Sequence, residues 1–340
     1  MISARLAEER RVAIAAVRDA SRLCRAVRAS FSPDHAAAKA DASPVTVADL
    51  GSQAVVSLAL ADAFPNDPIA GEEDAGPLRA APTSPIAQAV LEHVSAFRSE
   101  IDRDRLSWAL DRCNDEGGPG GRHWAVDPVD GTKGFLRGGQ YAVALALIED
   151  GQVLLGVLGC PNVAVDAADP AAGIGCLFVA ERGGGAWQLP LDDAGEVSEG
   201  GQTAERPIHT SDVTDVRSAR WAESLEPSHS SQSEAAEVVR LLGITAEPIR
   251  VDSQVKYALV ARGDASIYLR LPIGGYVENI WDHAAGSLLV SEAGGIVTDV
   301  DGRDLDFTTG RKLSRNRGIL AAVPALHDQV LAAVTRVLGG

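Results

Sequence analysis

The segment WAVDPVDGTKGF, Trp124 to Phe135, sets two aspartates three positions apart in a stretch that otherwise has the apolar, β-branched character of a buried strand. Burying an unpaired carboxylate costs on the order of several kcal/mol of desolvation, so any fold that buries this segment must bring a counter-charge to Asp127 and Asp130. Few lysines or arginines lie nearby in sequence, and carboxylate oxygens with a main-chain carbonyl are the hard ligands that Mg²⁺ or Mn²⁺ prefers. Pro128 fixes φ and Gly131 permits a sharp turn, so Asp127, the Val129 carbonyl and Asp130 can curl around one point. Gly131 and Thr132 then offer backbone N–H groups to an anion. Cations beside an anion cradle point to phosphoryl chemistry.

Three further stretches place acid among apolar neighbours: PVTVAD ending at Asp49, GEED with Glu72, Glu73 and Asp74, and Trp281-Asp282. Each has an ordinary structural reading. Asp49 and Asp282 sit near expected helix starts and suit caps or dipole partners. Glu73 and Asp74 suit a solvated turn with at most one member reaching a site, and DPVDG alone suits a tight turn. The functional reading rests on the set.

The organisation of the chain predicts an α+β to α/β fold in layers. Helical apolar spacing covers Ala4 to Ser30, and a second helix is expected from an N-cap at Thr46, with Asp49 completing a capping box, to Phe64. Residues 76–121 are polar and Pro/Gly-punctuated, which predicts a surface insertion with one helix near Ile86 to Phe97. Strand-like runs follow to about Gln188, with a hairpin turn at Glu149-Asp150-Gly151, and predict an antiparallel sheet packed on the two opening helices. From Ser233 onward, helices and strands alternate, which predicts a mixed or parallel sheet with covering helices. The expected division is 1–200, carrying most candidate metal ligands, and 201–340, carrying Asp282 and further ligand contacts.

A formal net charge of -16 argues against nucleic-acid polymers and anionic membrane surfaces as partners. Cys24, Cys113, Cys160 and Cys176 lack zinc-ligand spacing and read as free thiols in a reducing compartment. No apolar run of transmembrane length and no secretory leader is expected, so the expected location is cytoplasmic.

In order, Asp49, Glu72-Glu73, Asp127 to Thr132, and Trp281-Asp282 followed after eleven residues by Gly294-Gly295 resemble the signature of the lithium-sensitive, magnesium-dependent phosphatase superfamily of inositol monophosphatase and fructose-1,6-bisphosphatase. Within it, the Lys133 to Tyr141 continuation, the GEED turn and DSQVKYALVARGDASIYLRLP are most similar to the 3′(2′),5′-bisphosphate nucleotidase branch. The resemblance implies a layered α-β-α-β-α sugar-phosphatase fold and hydrolysis of the 3′-phosphate of adenosine 3′,5′-bisphosphate, with the 5′-phosphosulfate analogue as a further substrate. It implies two or three Mg²⁺, with Mn²⁺ as a substitute and Li⁺ as an inhibitor. By position, Glu72, Asp127, the Val129 carbonyl, Asp130 and Asp282 match metal ligands, and Asp49 and Thr132 match the pair that activates water. Gly131, Thr132, His229, Ser253, Lys256 and Arg270 match substrate contacts. Alternatives are an inositol-phosphate substrate at the same metals, or a catalytically silent nucleotide sensor on the same fold.

Overall fold

The computed structural model describes residues 5–31, 43–192, 205–226 and 231–339. Helix α1 (Ala7–Ser30) buries Val12, Ala13, Ala16, Val17, Ala20, Leu23 and Val27, the stripe its spacing predicts. Helix α2 (Pro44–Ala63) corrects two expectations. The Thr46 capping box does not form, because Pro44 occupies the first turn after Ser43 and its fixed φ starts the helix earlier. Asp49 therefore lies inside the helix and is not a cap. Residues 45–63 are also long and apolar enough to cross a membrane, contrary to the sequence expectation, yet most of them are buried inside the fold as a core helix.

The 76–121 segment is likewise no surface insertion. It forms α3 (Gly76–Ala80), α4 (Pro85–Ser95) and α5 (Arg103–Asp111), with Ser84 and Asp102 capping the last two through Ala87 N–H and Arg105 N–H. Val90, Val94, Leu106 and Leu110 join the same core as α1 and α2. Their short amphipathic faces are hidden in a segment whose average polarity is high.

A seven-stranded sheet follows chain order through β1 (Ile69–Gly71), β2 (Arg122–Asp130), β3 (Ala142–Glu149), β4 (Gln152–Ala164), β5 (Ile174–Glu181), β6 (Gly185–Pro190) and β7 (Arg206–Pro207). Only the β1–β2 pairing is parallel. In β3, Val143, Leu145 and Leu147 face α1 and α2, whereas Ala142, Ala144, Ala146 and Ile148 face the other way into a second core. Both faces are covered, which is why the strand reads as a continuous apolar run. Asp150 and Gly151 turn the β3–β4 hairpin at φ 51° and 74°, as the turn sequence predicts.

The second sheet runs β11 (Ile296–Thr298), β12 (Ile319–Ala322), β10 (Ile267–Arg270), β8 (Trp221–Glu223) and β9 (Ile249–Arg250). It is mixed: β8 is parallel to β9 and β10, while β12 is antiparallel to β10 and β11. Helices α8 (Val255–Ala261) and α9 (Ala284–Glu292) fill the space between the sheets, and α7 (Gln232–Leu242) and α10 (Pro324–Leu338) cover the outer face. The result is the layered α-β-α-β-α architecture. A short helix, α6 (Thr132–Arg137), follows β2 directly.

The middle layer depends on close approach. A Cβ on Gly156 of β4 would stand 2.8 Å from the Ala285 carbonyl oxygen and 3.0 Å from its Cα, both backbone atoms of α9. Replacing Gly156 with valine should lower the melting temperature by several degrees, since overpacking costs about 1–3 kcal/mol and the helix cannot retreat without moving Asp282. An unchanged thermal scan would contradict this packing.

Candidate active site

The site is built where β2 breaks step with β3. Asp127 pairs with Ala144, but the next paired residue, Asp130, meets Ala142, so one extra residue bulges from β2. Pro128 has no N–H to give the ladder, and its carbonyl accepts from the Ser52 hydroxyl of α2 at 2.9 Å. Gly131 takes φ 86°, and an added Cβ would meet Ser253 Cβ at 2.9 Å, so the turn into α6 needs glycine twice over.

Three clamps bring the other acids to this bulge. On α2, one turn after Asp49, Gln53 donates to the Glu73 carbonyl at 2.6 Å and accepts from Glu73 N–H at 3.0 Å, which fixes the Glu72-Glu73 turn. Gln254 donates its backbone N–H to Asp130 Oδ2 at 2.6 Å, while its side chain donates to the Trp281 carbonyl at 2.9 Å and accepts from Gly286 N–H at 3.2 Å. One residue thereby ties Asp130 to the segment carrying Asp282. Arg311 donates to the carbonyls of Gly71 and Asp115, the latter at 2.9 Å, and lies over the Trp281 ring at 4.7 Å.

A cleft of ≈ 340 Å³ results, and Glu72, Asp127, Val129, Asp130, Gly131, Thr132, Arg270 and Asp282 all line it. Asp49 approaches from α2 behind this wall, close enough for its charge to act on Asp127. Ser253 and Lys256 are buried and do not line the cleft. Ser253 adopts a left-handed φ of 70° and accepts from Val255 N–H at 3.2 Å, while Lys256 donates to the Val251 carbonyl at 3.2 Å and sits 5.3 Å from the Tyr268 ring. His229 lies outside the described residues. At the mouth, Lys133 and Arg137 both pair with Glu226, and Arg137 also reaches Asp252 at 2.5 Å.

The electrostatics are those of carboxylates held against their will. Burial, then the charges of Glu73 and Glu72, push Asp49 up to about 8. Burial, then Asp282 and Glu73, push Glu72 up to about 7. Glu72 is exposed by surface area but stands in a concave, crowded wall, so protein atoms still displace much of its solvent. Asp130 rises to about 6 through burial and Asp282, opposed by Lys256 and the Gln254 N–H. Asp127 is raised well above the ordinary carboxylate range, first by burial and then by Glu72, Asp130, Asp282 and Asp49. Its Oδ1 is buried without a hydrogen-bond partner. Lys256, buried beside Asp130, is itself pushed down to about 8 by desolvation. An orphaned carboxylate oxygen among all-oxygen donors fits a hard divalent cation.

A different trio, Glu278, Asp282 and His283, brings ligand atoms within 4.8 Å of one another. It suits a cation less well. Glu278 already pairs with Arg270 at 2.7 Å, and both ring nitrogens of His283 have partners, Glu278 at 3.1 Å and the Tyr257 hydroxyl at 2.8 Å.

A model of the inositol monophosphatase family matches residues 6–338. The chain belongs to the inositol monophosphatase family. Members of this family are metal-dependent, which agrees with the acidic wall. Among curated proteins, the chain is 44% identical over 322 residues to a 3′(2′),5′-bisphosphate nucleotidase of Emericella nidulans, covering 88% of this chain and 90% of that protein. It is 42% identical over 344 residues to the Schizosaccharomyces pombe protein of the same name, covering 97% and 95%. Among solved structures, the inositol monophosphatase of Anabaena (Nostoc) sp. PCC 7120 superposes with a TM-score of 0.62 at 22% identity, covering 98% and 97%, and supports the fold alone.

Sequence reasoning passed over Ser52, Gln53, Gln254, Glu278 and Arg311, the residues that orient the candidate ligands. A signal existed for two of them: Asp49, Ser52 and Gln53 fall at i, i+3 and i+4 of an otherwise apolar helix, one polar face where none is needed for solubility.

In the metal-free fold these carboxyls retain protons at a pH where the unfolded chain, with values near 3.8 and 4.5, has released them. Their stabilising contribution is complete below the unfolded values and is lost as pH rises through about 6 to 8. The melting temperature of EDTA-treated protein should therefore fall across this window, and Mg²⁺ should restore several degrees at the alkaline end and much less at the acid end. Equal Mg²⁺ stabilisation at both ends would contradict this account.

Proposed function

We propose that this chain is a Mg²⁺-dependent 3′(2′),5′-bisphosphate nucleotidase that hydrolyses the 3′-phosphate of adenosine 3′,5′-bisphosphate, giving AMP and inorganic phosphate, and also accepts the 5′-phosphosulfate analogue. The observation that carries this reading is the convergence, in one cleft, of the acidic wall with its unpartnered Asp127 oxygen, the Gly131-Thr132 cradle and the Arg270 guanidinium. Near-full-length similarity to proteins of that name supports the choice of substrate. An acidic wall with divalent cations takes the scissile phosphate, and a separate cation takes the second.

In this reading, Glu72, Asp127, Asp130, Asp282 and the Val129 carbonyl would hold two or three Mg²⁺. When bound, the ions supply Lewis-acid charge at the phosphoryl oxygens and make water a nucleophile at neutral pH. The backbone N–H groups of Gly131 and Thr132 orient the phosphate for in-line attack. Asp49, with the Thr132 hydroxyl, accepts the proton lost by the attacking water, and burial poises Asp49 near neutrality for that task. Water oxygen bonds to phosphorus as the ribose 3′ oxygen departs, taking up a proton to become the hydroxyl of AMP. Arg270 binds the second phosphate as a planar donor fork, and buried Lys256 supports the cleft floor with positive charge. In the same proposal His229 contacts the ligand, while Ser253, which packs on the Gly131 turn without lining the cleft, supports the phosphate cradle from behind. The four cysteines are free and buried, in keeping with a reducing, cytoplasmic setting.

A phosphate-release panel tests this. Adenosine 3′,5′-bisphosphate should be the preferred substrate over inositol phosphates, turnover should require Mg²⁺, and Asp130→Asn should lower kcat by about 10²-fold or more while the protein stays folded. Preference for an inositol phosphate would overturn the substrate assignment, and ligand binding without turnover would favour a sensor. Millimolar-scale Li⁺ should inhibit, and an unaffected rate would remove that part of the proposal.

A further inference from the structure

Arg270 stands in a cleft whose wall carries several carboxylates, and the charges of Asp282 and Asp130 act on it directly. A flexible guanidinium in that field would fold onto the wall, neutralising the groups that the cations need and leaving nothing to greet a second phosphate. It does not do so here. Glu278, itself only 5% exposed, holds it at 2.7 Å.

Glu278 is in turn held from behind. His283 Nε2 lies 3.1 Å from the same Glu278 oxygen, and His283 Nδ1 lies 2.8 Å from the Tyr257 hydroxyl. A carboxylate only accepts, so Nε2 carries the proton, and in the neutral ring Nδ1 accepts from Tyr257. His283 and Tyr257 have no exposed surface. The line Tyr257, His283, Glu278, Arg270 thus runs from α8 through the residue following Asp282 to the cleft.

We propose that Glu278, fixed by His283 and Tyr257, is a positioning residue that keeps Arg270 off the metal-binding carboxylates and presents it to the second phosphate of a nucleoside bisphosphate. The inference rests on the substrate reading above and deepens it. It makes discrimination between bisphosphate and monophosphate depend on the residues that hold Arg270 as well as on Arg270 itself. Arg270 alone supplies a charge, whereas the buried line supplies its address.

The measured quantity is the ratio of kcat/KM for adenosine 3′,5′-bisphosphate to that for adenosine 3′-monophosphate, which lacks the second phosphate. Glu278→Gln keeps the shape and removes the charge, and should lower the ratio by about tenfold, the scale of one charge-assisted hydrogen bond. Tyr257→Phe removes only the hydroxyl at the far end, and should lower it about two- to fivefold, the scale of one neutral hydrogen bond. In an Arg270→Lys background, Glu278→Gln should cost little further, because both changes break one interaction. Equilibrium dialysis of AMP should show the same weakening without turnover. Folded variants that keep the unaltered ratio, or that weaken both substrates equally, overturn the proposal. If Glu278→Gln does not fold, Tyr257→Phe decides. A ratio near one in the unaltered chain would overturn the substrate reading and the positioning role together, whereas a high ratio that survives both substitutions would overturn the positioning role alone.

Discussion

Like charges crowded in a place where water cannot reach them all set the terms for this molecule. Glu72, Asp127, Asp130 and Asp282 repel one another, and the buried cations Lys256 and Arg270 moderate chiefly Asp130. The local contacts offset that repulsion only in part. The arrangement persists because the acids are carried by three separately anchored segments, the β2 bulge, the turn after β1 and the segment before α9, and because the apolar interior of five layers outweighs the electrostatic penalty. The β2 bulge, the Gln53 clamp and the Gln254 bridge are the points where that rigidity is delivered to individual carboxylates.

Polar contacts within the cleft are correspondingly divided. One wall gathers uncompensated negative charge, and a corner formed by Arg270 and Glu278 is compensated and buried. Keeping these two regimes apart within a space of ≈ 340 Å³ requires that no long cationic side chain be free to cross between them. Lys256 is tethered to the Val251 carbonyl, and Lys133 and Arg137 are engaged by Glu226 at the mouth. Among the described residues, Lys133, Arg137, Lys256 and Arg270 each have such an attachment.

The sequence disclosed the chemistry more readily than the scaffolding. The acidic segments and the two-sided apolar strands stood out because burial of charge and continuous apolar runs leave compositional marks, as in β3. Of the helices in 76–121, α4 was legible near Ile86 to Phe97, whereas α3 and α5 stayed hidden because a five- to nine-residue helix buries only a few side chains and its polar face dominates the average. Strands β1 and β8, three residues each, are too short to show a period at all. The capping-box reading of α2 failed because a proline at the first turn does the same work by a different means. Gln254 and Arg311 were illegible for another reason: their role is to join segments distant in sequence, and no local pattern records a partner more than a hundred residues away.

Arg311 carries this separation to its furthest point. It reaches back from the loop between β11 and β12 to carbonyls at Gly71 and Asp115 and to the ring beside Asp282. During synthesis from the N-terminus, every candidate ligand has therefore emerged before the residue that locks the acidic turn against the Trp281 segment. Without Arg311 the chain would still carry every candidate acid, but nothing would lock the Glu72 turn against the Trp281 segment.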